Sequence, residues 1–168
     1  NGNYKMEIII DDSDEDLPVF EFLKDSLTVN ETVESLEIPI KRITGDISKK
    51  VDVYCYTRGK TAEPGLDFEE RNKFLEFITF EPYETEKSCN VKILNDAFFE
   101  AEEYFEVRLG LKKNLLENGE MTKPAKIGER NSIQVFIQNE EDRKAGIEKK
   151  KKEERERKAR EKAEAKAK

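Results

Sequence analysis

The chain has 168 residues, 36% hydrophobic and 41% charged, with a formal net charge of −7. That is enough apolar material for one core with appendages, and more charge than an ordinary globular domain carries. Residues 143–168 hold 13 basic and 6 acidic side chains, a net of +7, which leaves −14 on residues 1–142. An acidic body attracts cations and repels nucleic-acid phosphates, so no nucleic-acid partner is expected.

An enzyme is not expected either. Histidine and tryptophan are absent, no G-x-S-x-G elbow occurs, and Cys55 and Cys89 have no metal-type spacing. Paired carboxylates could cleave glycosides, but nothing here forms an aromatic sugar-binding cleft. No apolar run approaches the ~20 residues of a transmembrane helix. The opening Asn1-Gly2-Asn3 reads as that of an excised piece, so a missing targeting segment says little about the parent protein.

In chain order, residues 6–10 form a short strand that enters the acidic run Asp11-Asp12-Ser13-Asp14-Glu15-Asp16. An EF-hand loop counted from Asp12 would need glycine at Leu17 and glutamate at Leu23, so the run reads as a linker. Pro18 starts the main body. Residues 19–22 and 27–29 read as one edge strand interrupted at Lys24, Asp25 and Ser26. Leu36, Ile38 and Ile40 alternate with polar neighbours, Gly45-Asp46 marks a turn, and Val51, Val53 and Cys55 alternate with Asp52, Tyr54 and Tyr56.

Thr57-Arg58-Gly59-Lys60-Thr61 is superficially like the end of a phosphate-binding loop, but Tyr54 stands where that loop needs glycine. Gly59 is therefore read as a turn residue. Residues 74–80 make a further strand, closed by Glu81-Pro82-Tyr83-Glu84. Cys89, Val91 and Ile93 alternate into the acidic stretch 95–105, and Phe105, Val107 and Leu109 alternate out of it. Residues 112–130 read as a polar loop in which only Leu115-Leu116 can pack. Ile133, Val135 and Ile137 form the last strand, followed by Glu140, Glu141 and Asp142.

About seven short strands without an internal helical pattern predict an all-β chain, an antiparallel, immunoglobulin-like β-sandwich. The predicted divisions are an acidic linker or end of a preceding repeat at 1–16, the sandwich at 17–142 and a charged tail at 143–168. The tail has no apolar stripe, so it reads as a solvated, fraying helix or a charged linker. Attraction of Lys149, Lys150, Lys151 and Lys152 to a membrane surface is the alternative. Cys55 and Cys89 are expected to be reduced core residues and not a bridge, in a reducing compartment or a domain that needs no bridge. Asn30-Glu31-Thr32 is a glycosylation sequon that a secreted module could use.

The stretch 95–105 carries Asp96, Glu100, Glu102 and Glu103 within eight positions. Oxygen-only ligands this dense suit a hard divalent ion, calcium before magnesium. A solvated acidic turn between strands accounts for the same pattern.

Four segments resemble the Calx-β domain family, over about residues 19–142. Thr57, Thr61-Ala62, Gly65 and Asp67-Phe68 resemble its T-x-[DG]-G-T-A-x-x-G-x-D-Y segment. Residues 78–87 resemble its v-x-F-x-P-G-[ED]-T-x-K turn, with Tyr83 where glycine is usual. Residues 95–105 resemble its D-D-D-x-x-E-x-D-E-x-F, and the acidic end of the last strand resembles its terminal D-D-D. Lys144-Ala145-Gly146-Ile147 is similar to the entry of a following repeat.

The resemblance implies a calcium-binding regulatory domain on the cytosolic face of a sodium/calcium-exchanger-like membrane protein. The alternative is an adhesion or spacer module in a tandem array, extracellular, binding calcium weakly or not at all. The implied partners are calcium and an adjacent repeat or the rest of a membrane protein. The ligands it implies are Glu31, Asp67, Asn95, Asp96, the carbonyl of Phe98, Glu100, Glu103, and Glu140, Glu141 or Asp142. Asn95 offers only a neutral oxygen and Ala97 none, so fewer or weaker ions are expected.

Overall fold

A computed structural model of the chain describes residues 16–95, 102–115, 119, 121–122 and 124–167. The strand expected at 6–10 and the acidic run up to Glu15 lie outside the described residues. The described residues form eleven strands and one helix: β1 Val19–Phe22, β2 Ser26–Asn30, β3 Ser35–Thr44, β4 Val51–Gly59, β5 Phe77–Phe80, β6 Glu86–Lys92, β7 Glu103–Leu111, β8 Asn114–Leu115, β9 Met121–Thr122, β10 Lys126–Ile127, β11 Ser132–Gln138 and α1 Glu140–Lys166. One sheet has the order β10-β1-β3-β6 and the other β2-β11-β7-β4-β5, while β8 and β9 pair separately. The predicted sandwich is the observed one.

Alternation builds it. Ile38 and Ile40 of one sheet, and Val53, Cys55, Phe105, Val107, Ile133 and Val135 of the other, are buried, with polar neighbours pointing outward. Phe20 of β1 meets Phe80 of β5 edge to face at 4.8 Å across the core, and Phe68, in the loop after β4, stacks on Phe105 of β7 at 4.1 Å.

The interrupted edge strand is two strands in different sheets. β1 pairs antiparallel with β3, whereas β2 pairs parallel with β11. The break at residues 23–25 lets Phe20 and Phe22 bury in one layer while Leu27 and Val29 pack from the other. Gly59 ends β4, paired with Phe105, so it is a strand terminus and not a free turn.

The strand expected from Phe74 begins only at Phe77. Residues 73–75 turn, Asn72 Oδ1 accepts a bond from the Phe74 amide at 3.0 Å, and Phe74 and Leu75 face solvent. An apolar run with no alternation could not show that boundary. The loop at 112–130 contains β8, β9 and β10, and it buries Ala125 fully. Two-residue strands are too short to leave a period.

Cys55 and Cys89 form a disulfide, contrary to the reduced pair expected above. Both side chains are fully buried, on the inward positions of β4 and β6, which belong to opposite sheets. Facing across the core brings their Cα atoms to 6.3 Å although 34 positions separate them, within the range a bridge requires. Neither strand pattern shows which inward residue it will face.

The pole of the sandwich at the carboxyl end of β3 is organised by Arg42, which follows Ile38 and Ile40 on the inward face and is 3% exposed. Its Nη1 donates to the carbonyls of Ile47, Glu81 and Glu84 at 3.2–3.3 Å, and Nη2 donates to that of Lys49. Burial pushes its pKa down, against Asp46 and Glu84, whose charges favour the cation. The turn it holds contains Tyr83, at φ 67°, whose amide bonds Ile47 at 2.7 Å. A left-handed non-glycine residue costs roughly 1–2 kcal/mol, and Tyr83 is 71% exposed, so its ring contributes little packing in return. Tyr83→Gly is expected to raise stability by about 0.5–1 kcal/mol, after subtracting glycine's greater unfolded-state entropy. A lower urea midpoint would show that the ring matters more than the backbone.

The helix α1 runs 27 residues with Lys, Glu, Arg and Ala on every side. Its described side chains are exposed throughout, with the pairs Glu154–Lys158 at 2.6 Å and Arg157–Glu161 at 3.7 Å. Among the described residues, no helix is long and apolar enough to cross a membrane.

Candidate cation site at one end of the sandwich

The opposite pole gathers loops far apart in sequence by main-chain bonds. The Glu31 amide donates to Gln138 O at 3.0 Å, joining the turn after β2 to the end of β11. Ala62 N donates to Tyr104 O at 3.0 Å, and Tyr104 N to Thr61 Oγ1 at 2.9 Å, joining the loop after β4 to the start of β7. Leu94 N donates to Asp67 O at 2.9 Å, Ile93 N to Glu34 O at 3.2 Å, and Phe68 bridges Ile93. Glu31, Asp67, Asn95 and Glu103 therefore belong to one end, with Glu103 opposite Ile137 at the first position of β7.

Asp67 sits in a tight turn whose Gly65 has φ +85°, a conformation that favours glycine. Its Oδ2 accepts a bond from the Glu63 amide at 2.6 Å, so one carboxylate oxygen orders the turn that presents it. Glu102, not among the predicted ligands, accepts a bond from Gln138 Nε2 and ties β7 to β11. Its position among four acids offered a signal for this end, but none for its partner.

Asp96, Phe98 and Glu100 lie outside the described residues. Glu140, Glu141 and Asp142 are in the first turn of α1 and not at the end of a strand, because β11 stops at Gln138 and a run of strong helix formers begins. Among the described residues, no group of three or more Asp, Glu, Cys or His side chains is placed to hold a metal ion.

The long loop between β4 and β5 is held by Arg71. Its Nε donates to Cys55 O at 3.0 Å and its Nη1 to Asn90 O at 3.1 Å, so one guanidinium spans both sheets. Its amide donates to Thr57 Oγ1 at 2.9 Å. On β7, burial raises the Glu106 pKa, but a hydrogen bond from Arg108 and the charges of Arg108 and Lys60 outweigh it and hold the carboxylate below its usual range.

What these features define is a β-sandwich with acidic loops collected at one pole. Residues 13–140 match the model of the Calx-beta domain, and the chain belongs to that family. It is 39% identical over 140 residues to the human "Extracellular matrix organizing protein FRAS1", covering 83% of this chain but 3% of that protein's length. Among solved structures, the apo-form Calx CBD1 domain matches with a TM-score of 0.61 and 25% identity, over 74% of this chain and 98% of that one. A structure described as the calcium binding domain CBD12 of CALX1.1 matches at 0.59 and 26%, over 71% and 45%.

Proposed function

We propose that the chain is a non-catalytic module of a tandem Calx-beta array in an extracellular protein. The observation that carries this reading is the buried Cys55–Cys89 bridge joining the two sheets, since such bridges persist in oxidising compartments. The relation to an extracellular matrix protein supports it, and the cytosolic exchanger setting has no comparable support. Thiol counting on the parent protein, denatured without reductant, is the test. Two free thiols would overturn the extracellular assignment.

Within that reading the acidic pole takes calcium weakly. Glu31, Asp67, Asp96, Glu100 and Glu103 would supply carboxylates, Asn95 and the Phe98 carbonyl neutral oxygens, and residues 140–142 the remainder. The support is that main-chain bonds bring the described members of this set to one end. Extracellular calcium modules work at roughly 10⁻⁴–10⁻³ M. At ten times such a dissociation constant, calcium stabilises by about 1.4 kcal/mol, a rise in Tm of about 3–6 °C. Magnesium is expected to do less, because it demands tighter octahedral geometry. Asp67→Asn is expected to remove most of the calcium effect while keeping an acceptor for the Glu63 amide. A wild-type Tm unmoved by 10 mM calcium, about ten times the upper end of that range, would make the module a spacer without an ion.

A further inference from the structure

We infer that Asn30 is an acceptor for N-linked oligosaccharide, an inference that rests on the extracellular reading above. Asn30-Glu31-Thr32 is the single N-x-S/T tripeptide in the 168 residues, and the fold places it where a glycan fits. Leu27 and Val29 of β2 pack toward the core, so Thr28 and Asn30 project from the other side of the strand. β2 is an edge strand, paired with β11 on one side only.

The Asn30 main chain is fixed, because its carbonyl accepts a bond from Val33 N at 3.0 Å and it lies opposite Gln138. Its side-chain Oδ1 accepts bonds from Thr32 N at 3.0 Å and from the Thr32 hydroxyl at 2.9 Å. Both bonds use the oxygen. Nδ2 donates to none of the described residues, so replacing one of its hydrogens by a sugar breaks no described contact.

The donor is a lipid-diphosphate-linked oligosaccharide. Nδ2 forms a bond to the anomeric carbon of its first sugar, and the bond from that carbon to the diphosphate oxygen breaks. The electron pair leaves with the lipid diphosphate, and one Nδ2 proton is lost to base. No redox partner is required. A glycan here would shield the open edge of β2, which otherwise presents unpaired main-chain groups to neighbouring chains.

The test is translation of the full chain, behind a cleavable secretion signal, into glycosylation-competent microsomes. One step of added mass is expected, removed by peptide N-glycosidase and absent from both Asn30→Gln and Thr32→Ala. A translocated chain with Cys55 and Cys89 bridged but no added sugar would overturn the site itself. Unmodified Asn30 together with free Cys55 and Cys89 in the parent protein from its tissue would instead overturn the extracellular reading, and with it the modification in vivo.

Discussion

Replacing Cys55 and Cys89 together by alanine is expected to lower stability by about 4–5 kcal/mol. The bridge closes a loop of 34 residues, and the chain-entropy relation for that length gives about 3.8 kcal/mol at 25 °C. Removing two fully buried sulfur atoms adds a smaller packing loss. The effect lies mainly in the unfolded chain, which gains freedom once β4 and β6 are no longer joined. Urea unfolding is the measurement, with the wild-type protein run with and without reductant. The reduced wild type should behave much like the double variant, since both lack the link. An unfolding free energy that falls by less than about 1 kcal/mol in either case would show that the hydrogen-bonded sheets and the Arg71 bonds alone hold the layers together.

The second large effect is expected at the other pole. Arg42→Met keeps an apolar stem beside Phe20, whose ring lies 5.6 Å from the guanidinium carbon, but removes the donors to Ile47, Lys49, Glu81 and Glu84. A buried acceptor left without a partner costs about 1–3 kcal/mol. Because these loops can relax and admit water, the expected total is about 2–4 kcal/mol, less than four separate losses. Arg42→Lys should recover little, since an ammonium cannot reproduce the planar fork that reaches several carbonyls. Thermal unfolding with and without calcium separates the two poles. Both variants should lower Tm while leaving the calcium increment near its wild-type value. A lost increment would mean that the turn regions 45–50 and 81–85 communicate with the acidic end.

The alternation of Ile38 with Ile40, of Val51 with Val53 and Cys55, and of Phe105 with Val107 and Leu109 determined by itself that the body is a sandwich. A side-chain period of two needs no knowledge of partners. The acidic stretch beginning at Asn95 was legible as a local density of carboxylates, which a solvated turn explains as well; that distant loops gather at that pole was only an implication of the family resemblance. The charge-rich run after Ile147, with no apolar stripe, likewise showed that the tail is solvated, but left helix and linker open until the structure showed α1. Tertiary structure alone decided what depends on which residues face each other. It joined Cys55 to Cys89, sent β1 and β2 to different sheets, and aimed Arg42 at four carbonyls, one of them 42 positions away. Arg42 did continue the inward alternation of Ile38 and Ile40, so its burial was legible, but its partners were not. A strand's period tells which side of the sheet a residue lies on. What it meets there is set by the packing of the second sheet, which no single strand encodes.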